Sequence, residues 1–84
     1  MDVRYRVLKA IAATAEVEVF TIESDIRLEK MGLDGANAAD ILITLENAFG
    51  IAIQDDEYDR MLGMTVDQLV AFTQQKIDAE KQNA

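Results

Sequence analysis

The sequence predicts an all-α fold: a four-helix bundle with a long loop between helices 1 and 2 and a short third helix. Three observations predict it. Apolar residues recur at three- and four-residue spacing in the stretches beginning near Asp2 and Ala36. Proline is absent, and Gly50 and Gly63 fall where helical stretches end. The one short stretch with strand character, Val17–Phe20, has no convincing partner to pair with.

The first helix is expected from Asp2 to Ala15. Val3, Val7, Ile11 and Ala15 form its apolar stripe, Leu8 and Ala12 widen it, and Arg4, Arg6 and Lys9 stay outside. Asp2 suits the N-cap, where a short carboxylate can accept from free backbone N–H groups. Residues 16–30 keep no sustained helical period, so they read as a long loop that presses apolar side chains onto the core. Asp34-Gly35 offers the cap for the second helix, Ala36–Phe49, which buries Ala38, Ile41, Leu42, Leu45 and Phe49. The acidic run Asp55-Asp56-Glu57-Tyr58-Asp59 opens a short third helix reaching about Leu62, since acids suit the positive end of a helix dipole. Thr65 caps a last helix with Val66, Leu69, Val70 and Phe72 inward, and the pattern thins into a tail expected to fray through Lys76–Ala84. The four methionines, Met1, Met31, Met61 and Met64, read as core filler. With 84 residues the chain is one domain, 1–84, with its core at about 3–72.

Composition removes several kinds of chemistry. The chain has no Cys and no His, so it lacks thiolates, disulfides and the commonest general base and metal ligand. A net charge of -8 argues against nucleic acid and against anionic membrane surfaces. No stretch has the apolar length of a membrane span, and the charged start Met1-Asp2-Val3-Arg4-Tyr5-Arg6 is unlike a signal peptide. The cytoplasm is the expected location, the monomer the expected state, and enzymatic activity is not expected.

The charge is unevenly placed. Residues 34–67 carry Asp34, Asp40, Glu46, Asp55, Asp56, Glu57, Asp59 and Asp67 against Arg60 alone, and residues 68–84 are neutral. A solvated face would account for this, and so would a docking surface that steers basic partners. Asp55-x-Glu57-x-Asp59 begins like a calcium loop but has Arg60 at the turn glycine and Val66 at the closing glutamate, so no metal site is expected. No glycine-rich phosphate loop is present.

One ordered pattern is specific. Ile22-x-x-Asp25-x-x-Leu28-x-x-Met31-Gly32-Leu33-Asp34 leads into the second helix, which ends Leu45-Glu46-x-x-Phe49-Gly50-Ile51. Ile53-x-Asp55-Asp56-Glu57 follows, and then Thr65-Val66-Asp67-Gln68-Leu69-Val70. From about Val3 to Phe72 the chain resembles the acyl carrier protein family. The resemblance implies a bundle of that family's type, with a 4′-phosphopantetheine arm on a serine directly after the turn aspartate. Here that position is Gly35, which has no oxygen to carry the arm. Its neighbours also depart from the family, with Ala36 for leucine and Asn37 for an acid, which points to natural divergence.

The lone serine, Ser24, lies in the first loop in Glu23-Ser24-Asp25 and is the remaining candidate for an arm. By resemblance, the partner-docking residues are Asp34, Ala36, Ala39, Asp40, Ile43 and Glu46 on the second helix, joined by Asp55, Asp56 and Glu57. The partners implied are basic-surfaced enzymes of acyl-thioester pathways such as fatty acid, polyketide or nonribosomal peptide synthesis. Three readings stand at this point. One is a carrier-like domain that docks without carrying; another is a true carrier with its arm at Ser24. The third is an interaction module unrelated to acyl groups.

Overall fold

A computed structural model describes residues 2–83. Helix α1 spans Val3–Ala15, α2 Gly35–Phe49, α3 Asp55–Arg60 and α4 Val66–Asn83. Short 3-10 turns lie at Val19–Thr21, Leu28–Met31 and Met61–Gly63, the last continuing α3 toward the expected end at Leu62. The expected all-helical class is correct: among the described residues the only β pairing is a single bridge between Arg27 and Thr65.

The helix ends obey local chemistry. Asp2 accepts the Tyr5 N–H at 3.0 Å and starts α1. Gly50 stops α2 in a left-handed conformation at φ 66°, where glycine meets no Cβ penalty. Its N–H and that of Ile51 both donate to the Glu46 carbonyl, at 2.8 and 3.3 Å. At the head of α4, Thr65 and Gln68 each accept the other's backbone N–H through their side chains, at 3.1 and 2.9 Å.

The core draws on α1, α2, α4 and the three connecting segments, with Tyr58 of α3 packed against it. Val7, Ile11, Leu28, Ile41, Leu42, Leu45, Met61, Val66 and Leu69 are almost wholly removed from solvent. Met31, Phe49, Met64 and Phe72 pack at its margin, half-buried. The expected filler role thus holds for Met31, Met61 and Met64, while Met1 lies outside the described residues.

One expectation needs correction. The first loop presses Ile22, Ile26 and Leu28 onto the core, but Phe20 is 85% exposed and Val17 points largely to solvent. The chain leaves α1 through Glu16 in the left-handed region, at φ 58°, and the turn Val19–Thr21 that follows leaves Phe20 in solvent while Val19 stays half-buried. Helix α4 keeps a helical backbone to Asn83, through most of the stretch expected to fray, and Ala84 lies outside the described residues. Past the expected end of the core at Phe72, Thr73 is buried with its hydroxyl donating to the Leu69 carbonyl at 2.8 Å. Ile77 still packs on the core, and Lys76 is held by an ion pair to α3.

The loop is fastened to α4 by backbone bonds. Leu28 N–H donates to the Met64 carbonyl, Val66 N–H to Ile26 and Asp67 N–H to Ser24, at 3.0, 3.0 and 2.9 Å. Arg4 joins α1 to the same place, donating to Asp67 Oδ1 at 2.7 Å and to Ser24 Oγ at 2.6 Å.

Candidate functional site

The candidate site is the head and outer face of α2 with the start of α3. Asp34 caps α2 by accepting the Asn37 N–H at 3.0 Å, and Asn37 Oδ1 accepts the Asp34 N–H at 3.0 Å. Asn37 is therefore the reciprocal half of a capping box, a role its three-residue spacing from Asp34 could have signalled. Gly35 opens the helix directly behind this cap and is exposed. A Cβ built on it meets nothing within 4 Å. The position has room for a side chain but supplies no nucleophile of its own, so the residues present do not fit a covalently held arm here.

Farther along the same face, Ala36, Asp40 and Ile43 are exposed and Ala39 is half-buried. Ile43 keeps 48% of its surface in solvent, an apolar side chain among acids. Asp55 and Asp56 are exposed at the head of α3, with Arg60 loosely paired to Asp56 at 3.9 Å.

Two of the expected docking acids are engaged inside the domain. Glu46 is half-buried, and its carboxylate accepts the Ile53 N–H at 3.0 Å and the Tyr58 hydroxyl at 2.8 Å. That bond to Glu46, helped by burial and by the charges of Glu46 and Asp55, raises the Tyr58 pKa above the usual phenol value. Glu57 accepts the Gln54 N–H at 2.8 Å and pairs with Lys76 Nζ at 2.7 Å. Sequence reasoning missed both roles. The Gln54-x-x-Glu57 spacing was a legible sign of a cap; the Lys76 partner, far along the chain, was not.

Partial burial acts to raise the Glu57 pKa, but the bonds from Lys76 and Gln54 and the charges of Lys76 and Arg60 outweigh it and hold the value below the ordinary one. The contribution of this carboxylate to stability is then present above the ordinary glutamate range and lost as pH falls through the lowered folded value. Replacing Glu57 with glutamine should cost about 1 kcal/mol at neutral pH, because glutamine can still accept the Gln54 N–H and only the charge pairing with Lys76 is lost. Thermal melts at falling pH should show the gap between variant and parent closing through the carboxylate range.

Ser24 has a structural place. Its hydroxyl accepts from Arg4, and its carbonyl accepts the Asp67 N–H, so it stands where the first loop is fastened to α1 and α4. Among the described residues, no group of three or more His, Cys, Asp or Glu is arranged to hold a metal ion. None of the described helices is long and apolar enough to cross a membrane.

The described residues form a helical bundle whose second helix is capped by Asp34 and exposes Asp40 and Ile43. No protein-family model matches the sequence. Among curated proteins, the chain is 32% identical over 60 residues to the mitochondrial acyl carrier protein of Dictyostelium discoideum. That alignment takes in 71% of this chain and 50% of the relative, so the chain spans about half the length of the curated relative it matches. The chain is an acyl-carrier-protein-like domain.

Proposed function

We propose that this domain docks enzymes of an acyl-thioester pathway without itself carrying an acyl group. The observation that carries the reading is Gly35. It stands first in α2 behind an intact Asp34 cap, where the family resemblance places the arm-bearing serine. The exposed acids Asp34, Asp40, Asp55 and Asp56, with Ile43 among them, support a surface that meets basic partners by charge and then by apolar contact. Glu46 and Glu57 belong to the fold rather than to that surface.

The second reading, an arm on Ser24, has less support. That hydroxyl already accepts from Arg4, and it lies in the first loop instead of at the head of α2. The cytoplasm and the monomeric state belong to the proposal, supported by a cysteine-free, strongly acidic chain.

Incubation with coenzyme A and a phosphopantetheinyl transferase tests the reading by intact mass. The parent chain should keep its mass, and it should slow the transferase acting on an ordinary carrier by competing for it. Asp40→Lys should relieve that competition. A pantetheine adduct on the parent chain would overturn the non-carrying role; absence of competition would overturn the docking role.

A further inference from the structure

The near-neutral balance of residues 1–33 conceals a second concentration of charge. All the bases of its first half, Arg4, Arg6 and Lys9, lie in α1, and no base follows until Arg27. Between them stand Glu16, Glu18, Glu23 and Asp25, all exposed and, among the described residues, in no ion pair. In the middle of these acids sits Phe20, at 85% the most exposed large apolar side chain described. Val17, 42% exposed, stands three residues before it. A cleft of about 280 Å³ adjoins this segment, lined by Val17, Thr21, Ile22, Glu23, Ile26 and Met31.

The turn that presents Phe20 is closed on itself. Thr21 donates to the Glu18 carbonyl through both its N–H, at 3.0 Å, and its hydroxyl, at 2.7 Å, and Ile22 N–H donates to Val19 at 3.2 Å. The downstream end of the loop is held by the bonds to α4, so little order would have to be imposed on binding. An exposed aromatic in a loop that also lines a largely apolar cleft and carries four unpaired acids, with Arg4 held at Ser24 as the one cation bonded to it among the described residues, has the composition of a binding hot spot with a steering rim.

We infer that the loop between α1 and α2 is a second docking surface, and that its partner is a cationic amphipathic helix. The apolar face of such a helix would cover Phe20, Val17 and the cleft, while its lysines or arginines meet Glu16, Glu18, Glu23 and Asp25. This surface shares no residue with the α2–α3 face and does not depend on the acyl-carrier reading.

The test is an NMR titration of the full nitrogen-15-labelled chain with a synthetic leucine–lysine peptide of helical amphipathic spacing. The acidic α2–α3 face gives its own set of amide shifts with such a probe, and Asp40→Lys should weaken only that set. A second set should centre on residues 17–26. Phe20→Ala should weaken this second set at least about tenfold, the effect of losing a hot-spot aromatic, while leaving the first set unchanged. Glu18→Lys with Glu23→Lys should weaken the same set and flatten its dependence on salt. Absence of the loop set, or a loop set indifferent to Phe20, would overturn the inference. So would sedimentation showing dimers that Phe20→Ala abolishes, because the occupant would then be a second copy of the chain.

Discussion

Gly35→Ser should fold like the parent chain and accept one phosphopantetheine from a transferase, while the parent accepts none. The fold part follows from space and conformation. A Cβ at position 35 meets nothing within 4 Å, and the backbone there is not in the left-handed region that favours glycine. Serine is also the better helix former, so stability should stay within about 0.5 kcal/mol of the parent or rise slightly. The chemical part follows from placement. A serine hydroxyl would sit at the first position of α2, where free backbone N–H groups and the helix dipole favour a phosphodiester. Intact mass reads the outcome as all or none. A folded Gly35→Ser chain that stays unmodified would mean that Ala36, Asn37 and Ala39 have removed the contacts a transferase needs, and the docking proposal would lose its main support.

Glu46→Ala should destabilise the domain by about 2 kcal/mol, because it leaves the half-buried Ile53 N–H and Tyr58 hydroxyl without their acceptor. In a domain this small, that corresponds to a fall in Tm of roughly 10 °C. Glu46→Gln, which keeps one oxygen acceptor, should fall between variant and parent. Asp40→Asn, on the exposed side of the same helix, should change stability by no more than about 0.5 kcal/mol. Thermal melts of the four proteins separate a structural acid from a surface one. Equal stability of Glu46→Ala and Asp40→Asn would contradict the assignment. Loss of binding in a Glu46 variant therefore measures folding before it measures docking, and Asp40 is the better probe of the surface.

The contrast between these two acids shows what the sequence could reveal. Helical spacing identified α1, α2 and α4 because an amphipathic stripe is a local property, the acidic run marked α3, and Gly50 and Thr65 marked ends through equally local bonding. The site was legible to the extent that it depended on position along α2: Asp34, Gly35, Ala36, Asp40 and Ile43 all lie at its head or on its outer face. Glu46 and Glu57 looked like surface acids because their partners belong to other elements. Tyr58 reaches Glu46 from α3, and Lys76 reaches Glu57 from a stretch where the apolar pattern had thinned. Phe20 went wrong for a related reason. Its apolar character suggested burial, but it sits in a short 3-10 turn, Val19–Thr21, that has no helical stripe to show which side chain faces the core.

The fastening of the first loop to α4 has a consequence for how the chain assembles. Arg4 and Asp67 are 63 residues apart, yet their contact meets the loop carbonyls that cap α4. The first loop cannot complete its boundary with α4 before these two distant parts of the chain arrive. The entropy of closing so long a loop must be met before these bonds can repay it. Assembly and unravelling should therefore be cooperative, with the loop set in place only as the last helix docks.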